Sequence, residues 1–309
     1  MLFSKLTFYL IVYPLSRLPL PVLYVFTDFL YLIVYYGIGY RKQVVMQNLM
    51  RSFPHKSKQE LNAIAKRFYR HFTDLLAEGV KNLSISESEL TKRITVQNPE
   101  LMEELFRQQK SVLLVSGHYN NWEFVITAQH SLFPHQAVGI GKALTNKFWD
   151  NKINQLRARM GMRILNHRNT MQKLREWQDE TLSILALSDQ SPGDSLKSYW
   201  TTFLNQPTAV LFGTETMANE FDMPVVFFHL EKTKRGYYQM VLDLITDKPR
   251  DEKYGFITEA HTQKLEAIII QKPEFWLWSH KRWKREIPEN LDELKSNQQA
   301  RFEQKYRQN

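Results

Sequence analysis

Cysteine is missing from all 309 residues. Its absence excludes a disulfide framework, a thiolate metal site and a cysteine nucleophile. Glycine is scarce, at 11 residues, and no Gly- or Ser-rich linker divides the stretch from 45 to 285. There is no Gly-x-Ser-x-Gly elbow and no Gly-Lys-Ser/Thr phosphate loop. The histidines at 55, 71, 130, 135, 167, 229 and 261 show no His-Glu-x-x-His or similar ligand spacing, so neither a metal nor a cofactor is expected. Internal repeats and low-complexity blocks are absent as well.

What the chain does hold is apolar and basic. Hydrophobic residues make up 43% and aromatics 13%, enough for a sizeable core and against disorder. A formal net charge of +9 favours a polyanion, either nucleic acid or an anionic lipid surface. The first forty residues are nearly all apolar, and Arg41 and Lys42 follow at once. Cations beside an apolar anchor gain roughly 1 kcal/mol each at a membrane, which favours the lipid surface.

No small-residue cleavage site follows the apolar run, so a signal peptide is not expected. Residues 18–40 are long enough to span a bilayer. Asp28 in mid-segment opposes this, because an aspartate at the centre of a span costs about 2.5–3.5 kcal/mol. Pro14, Pro19 and Pro21 break the helix further upstream. The expectation is a broken pair of helices lying in or dipping into the membrane face and packed partly on the domain. Arg17 is the partner expected for Asp28. A single span and a buried core hairpin are the alternatives.

Further on, Ser57 and Glu60 form a capping box, and Leu61, Ile64, Ala65, Phe68, Phe72, Leu75, Leu76 and Val80 follow at helical spacing. A helix over 57–82 is therefore predicted. From residue 94 short apolar runs alternate with helical patterns. Strands are predicted near 94–96, 111–116, 137–140, 162–165 and 181–187. A hairpin is predicted from 224–230 and 237–242, turning at Arg235-Gly236. Helices are predicted near 98–109, 120–131, 146–160, 169–178, 211–221 and 255–271. This alternation implies an α/β fold, with a mixed, mostly parallel sheet flanked by helices and a hydrophobic membrane-associated helical segment at the N-terminus. The expected organisation is a membrane segment over 1–42, an α/β domain over 43–287 and a polar tail over 288–309.

Chemistry concentrates at Ser116-Gly117-His118-Tyr119-Asn120-Asn121-Trp122-Glu123, directly after the run Ser111–Val115. A neutral imidazole can take a proton from a hydroxyl at neutral pH. A carboxylate that holds its tautomer would complete the pair. His118 and Glu123 meet only if the histidine lies in the turn before the helix and the glutamate in its first turn. Gly117 permits such a turn. The same spacing also makes Asn120 and Glu123 a capping pair, in which case the glutamate is structural.

The segment Gly117–Glu123 resembles the His-x4-Asp/Glu block of the lipid A biosynthesis acyltransferases, the lauroyl/myristoyl or lysophospholipid-acyltransferase-like family. The likeness extends over nearly the whole chain. Asn48-Leu49 with Phe53-Pro54 precedes the block; Asp189-Gln190-Ser191-Pro192-Gly193, Thr202-Phe203-Leu204, Pro224-Val225-Val226 and Trp276–Lys284 follow it in order. The resemblance implies an enzyme of the cell inner membrane, at its cytoplasmic face. It would move an acyl chain from acyl carrier protein, or coenzyme A, to a hydroxyl of a lipid A precursor. His118 would be the base and Glu123 its orienter, with no metal and no covalent intermediate. Another acceptor, such as a lysophospholipid, an amino-acid lipid or a glycolipid, would need only a different pocket.

The family's aromatic–Arg/Lys–Pro element is replaced here by Gly141-Lys142-Ala143, which leaves the acceptor-side shape open. Lys142 then reads as an oxyanion or phosphate contact, or as a solvated loop lysine. Asp189 and Gln190 end an apolar strand, where α/β sheets place site residues, although Ser191–Asp194 is also turn chemistry. Glu215 matches a family position, and equally suits a helix first turn. His280–Arg285 mixes cations with Trp283. That pattern serves a membrane interface or nucleic acid, and the apolar anchor favours the membrane, so nucleic acid is not an expected partner.

Overall fold

The computed structural model describes residues 2–307. It opens with α1 (Leu2–Thr7) and α2 (Tyr13–Ser16), joined by a wider π-helical turn at Phe8–Val12. Pro19 caps α3 (Leu20–Leu32), whose helical path continues to Ile38. Leu20–Ile38 is long and apolar enough to cross a membrane. Its two faces differ in what they meet. Leu20, Leu23, Tyr24, Thr27, Tyr31 and Val34 are buried, while Val22, Val25, Phe26, Phe29, Leu32 and Tyr36 are exposed. A helix apolar on both faces needs an apolar environment on each.

Arg17 was the partner expected for Asp28, and the two do not pair. Asp28 receives two hydrogen bonds from Arg235, at 3.0 and 2.7 Å, and the same guanidinium also binds Asp74. The reason is tertiary: the turn that carries Arg235 packs beside α3, and its fork reaches both carboxylates at once.

Next come α4 (Lys42–Ser52) and α5 (Lys58–Asn82). The capping box at Ser57 and Glu60 is present in both directions. The following elements are α6 (Glu87–Arg93), β1 (Ile94–Val96), α7 (Glu100–Arg107), β2 (Val112–Ser116), α8 (Trp122–Leu132) and β3 (Gln136–Gly141). Then come α9 (Lys147–Ala158), β4 (Arg163–Asn166), α10 (Thr170–Glu176) and β5 (Leu182–Leu187).

A hairpin of β6 (Tyr199–Phe203) and β7 (Gln206–Val210) was not expected. Its two-residue loop, Leu204-Asn205, has positive φ at both positions. That is the backbone of a type I′ turn, but it lacks the usual Asn-Gly or Asp-Gly signature. The chain ends with α11 (Gly213–Phe221), β8 (Val225–Lys234), β9 (Tyr237–Thr246), α12 (Phe256–Gln271) and α13 (Leu291–Tyr306). The last helix is tied down by Phe302, which packs against Phe212 and Tyr254.

Seven strands form one sheet in the order β1-β9-β8-β2-β5-β3-β4. Five run parallel to one another, while β1 and β9 run against them. Side chains of β2 alternate between the two sheet faces. Leu113 and Val115 enter one core and Val112 and Leu114 the other. In β8, Val225 and Phe227 divide from Val226 and Phe228 in the same way. Both faces are covered by helices, which explains the near-continuous apolar runs of the central strands. Tyr31, Val34 and Tyr35 share the first core with Phe68, Trp276 and Trp278, so the N-terminal segment is docked on the α/β domain.

Candidate active site

Two neighbouring strands build the site. β2 and β5 pair in register, with Ser116 opposite Leu187. Two residues past these ends lie His118 and Asp189, level with one another at the carboxyl edge of the sheet. In open α/β sheets ligands bind beyond this edge.

Asp189 is buried and accepts three hydrogen bonds. The His118 backbone N–H reaches Oδ2 at 2.8 Å, the His118 Nδ1 lies 2.6 Å from Oδ1, and the Trp276 indole N–H reaches Oδ2 at 2.8 Å. Burial alone would push this carboxyl up, but the His118 charge and these hydrogen bonds outweigh it and hold Asp189 well below the ordinary carboxylate range. A carboxylate at Nδ1 fixes the proton there and leaves Nε2 free to act as a base.

Nε2 is reached from the open side by the exposed Gln190, whose amide nitrogen lies at 3.1 Å. Trp122 packs edge-to-face against the imidazole, with centroids 4.8 Å apart. The His118 side chain keeps 15% of its surface exposed.

The turn is braced from the far end of the sequence. Asn120 N–H donates to the Phe275 carbonyl at 2.9 Å, and Leu277 N–H to the His118 carbonyl at 3.2 Å. Tyr119 and Trp276 thus form a single antiparallel bridge, and the Trp276 indole is the third donor to Asp189.

Gly117 has a different use from the one expected. Its φ is not positive; what it supplies is space. A Cβ here would come within 3.0 Å of the Asp189 Cγ and 2.6 Å of a Leu265 methyl. The methyl can swing aside, but the thrice-bonded carboxyl cannot. Gly117→Ala is expected to lower turnover at least tenfold with the fold retained, as read by initial rates and circular dichroism. Unchanged turnover would show that the close approach is dispensable.

The expected pairing of His118 with Glu123 is not what the structure shows. The N-cap of α8 is Asn121, which accepts from Phe124 N–H at 2.9 Å. Asn120 sits at φ +54° and donates to the Leu230 carbonyl. The capping pair is therefore displaced by one residue, and Glu123 becomes the second residue of the helix. From there its carboxylate faces α9 and takes a two-pronged contact from Arg157, at 3.2 and 2.5 Å. Nothing in the local spacing signalled Arg157.

Glu123 does line a cavity of about 340 Å³ with Trp122, Phe72, Leu76, Arg41 and His280. Its walls are mostly apolar side chains and the stems of long polar ones. Trp122 lines this space and also packs on the imidazole of His118, which is not itself among the lining residues, so base and cavity share one wall.

The remaining expected site residues are dispersed. Lys142 is exposed just past β3, one strand beyond Asp189, and makes no hydrogen bond or ion pair among the described residues. Glu215 lies buried in the first turn of α11 and accepts from Gly255 N–H, Thr258 N–H and the Thr258 hydroxyl at 2.6, 3.0 and 2.6 Å. It caps the start of α12 and is not among the residues that line the cavity. Burial pushes its carboxyl up.

Sequence reading did not single out Arg282 or His261 as neighbours of Asp189. Arg282 is 3% exposed, and its Nε has no hydrogen-bond partner among the described residues. Burial lowers it to about 10, partly offset by the attraction of Asp189. His261 is buried with Nε2 unpartnered, and burial holds it at about 4. Among the described residues no cluster of three or more His, Asp and Glu could hold a metal ion.

A buried carboxylate, an imidazole with one nitrogen toward solvent and an adjoining apolar cavity suit proton abstraction from the hydroxyl of an amphiphile. A search among curated proteins gave no match. The model of the bacterial lipid A biosynthesis acyltransferases matches residues 6–285. Covering the helical N-terminus, the whole sheet and the Trp276 block, that match shows that the chain belongs to the bacterial lipid A biosynthesis acyltransferase family and is an acyltransferase.

Proposed function

We propose that the enzyme moves a fatty acyl chain from a thioester, with acyl carrier protein as donor, to a hydroxyl of a lipid A precursor at the cytoplasmic face of the inner membrane. The observation that carries the reading is the His118–Asp189 pair beside the apolar cavity. Membrane association is supported by the family and by the exposed apolar face of Leu20–Ile38.

His118 Nε2 takes the proton of the acceptor hydroxyl as its oxygen adds to the thioester carbonyl carbon. The C–O bond forms and a tetrahedral oxyanion results. Its collapse breaks the C–S bond, and the imidazolium returns its proton to the departing thiolate. The products are an ester and a free thiol. Asp189 holds the ring with Nε2 unprotonated and stabilises the imidazolium between the two steps.

Gln190 must leave Nε2 before a hydroxyl can take its place. Its exposed position permits this, and its amide can then contact the substrate. Glu123, held by Arg157, borders the cavity and positions the acceptor there. Lys142, at the same sheet edge, is a contact for an acceptor phosphate. Glu215 supports the fold beneath the site.

The test is purified enzyme with acyl carrier protein donors of varied length and a panel of acceptors, read by mass. A lipid A precursor gaining one acyl chain, with His118→Ala reducing the rate about a thousandfold or more, is the expected result. Transfer only to lysophospholipids, amino-acid lipids or glycolipids would replace the acceptor. Transfer by folded His118→Ala at the wild-type rate would remove the mechanism.

A further inference from the structure

Helix α9 has no buried residue. It is nevertheless held in place, and its attachments point in two directions. Toward the N-terminus, Phe148 and Trp149 pack on the Phe8 ring, each with centroids 5.8 Å away. Lys152 lies over the rings of Phe8 and Tyr9, at 5.2 and 5.4 Å. The Asn146 amide donates to the Ser4 hydroxyl at 3.2 Å. Toward the site, Arg157 grips Glu123 at the cavity edge.

The surface formed by α1, the turn after it and the loop before α9 is apolar and open. Phe3 is 81%, Leu6 48%, Leu10 69% and Leu144 46% exposed. Soluble proteins rarely leave such contiguous patches uncovered. The cations at its border are Lys5, Lys147 and Lys152; the one acid there, Asp150, accepts from Leu144 N–H. An apolar patch edged by lysines is the pattern of an interfacial membrane contact.

We infer that α9 and the loop before it form, with α1, a second membrane-contacting surface whose occupant is an anionic phospholipid bilayer. The inference rests on the proposed membrane-bound acyltransferase and extends it: Leu20–Ile38 is then one of two contacts. The continuity with the outward apolar face of the N-terminal helices and the bordering lysines select a bilayer over a protein partner. Arg157, in the last turn of α9, ties the same helix to Glu123 at the cavity edge.

The absence of cysteine makes the test direct. Leu144→Cys, labelled with a polarity-sensitive fluorophore, is mixed with phosphatidylcholine vesicles with or without phosphatidylglycerol. Asp292→Cys in α13 serves as the control position. A blue shift and several-fold brightening at 144, absent at 292 and dependent on phosphatidylglycerol, is expected. Lys147→Gln with Lys152→Gln is expected to weaken binding to the phosphatidylglycerol vesicles roughly thirtyfold at low salt. If the protein sediments with the vesicles while the label at 144 stays unchanged, the second contact is wrong and the first stands. If the protein does not sediment with them at all, the membrane reading fails with it.

Discussion

Asp189→Asn is expected to lower kcat by about a thousand- to ten-thousandfold, the range seen when the carboxylate behind a catalytic histidine becomes an amide. Asparagine can still accept from the His118 backbone or from Trp276. At Nδ1, however, an amide nitrogen in place of a carboxylate oxygen favours the tautomer with the proton on Nε2. That proton occupies the lone pair the acceptor hydroxyl needs. The imidazolium formed during the reaction also loses its counter-charge.

Glu123→Gln should behave differently. Its carboxylate meets Arg157 and the cavity, so its loss should raise KM more than it lowers kcat, with kcat falling less than a hundredfold. The measurement is initial rates of ester formation across acceptor concentration for both variants, with folding checked by circular dichroism. A thousandfold kcat loss in Glu123→Gln beside near-normal Asp189→Asn would reverse the assignment.

The second large effect concerns stability and pH. Burial holds His135 and His261 at about 4 in the folded state, and His71 well below its ordinary value. An unfolded histidine titrates near 6.5. The folded state therefore binds fewer protons than the unfolded state between these values. Each such group contributes stability that is complete above about pH 6.5 and is lost as pH falls toward 4. The gap corresponds to roughly 3 kcal/mol per histidine. His135 and His261 together approach the stability of a marginal domain.

Opposing groups exist. Burial raises Glu78 and Glu215, so their protonation favours the folded state as pH falls. A difference measurement isolates the histidine. His135 is fully buried, with Nε2 3.3 Å from the Lys110 carbonyl. His135→Gln keeps a neutral donor there and removes the titration. Denaturant unfolding of wild type from pH 7 to 4 should lose roughly 3 kcal/mol more than unfolding of this variant. Parallel curves would mean that His135 takes up its proton in the folded protein at an ordinary pH.

Much of the fold was legible in local pattern. The capping box at Ser57, the apolar runs of β2, β5 and β8, and the turn at Gly236 each announce their element through side-chain period or backbone freedom. The β6–β7 hairpin escaped because Leu204-Asn205 adopts positive φ without glycine, at a cost that only surrounding packing offsets. The start of α8 was misplaced by one residue because Asn120 and Asn121 are equal candidates for a cap. The long-range hydrogen bond from Asn120 to the Leu230 carbonyl decided between them. That single step moved Glu123 from a capping role to a contact with Arg157.

The chemistry divides along the same line. That His118 would stand in a turn between a buried strand and a helix followed from the order of residues alone, because strand, turn and helix are local choices. Which carboxylate would hold that histidine did not. The answer came from β2 and β5 lying side by side with Ser116 opposite Leu187, which brings together groups 71 positions apart. Strand neighbours are chosen by how crossover helices pack on the sheet, and no spacing within a single segment carries that choice.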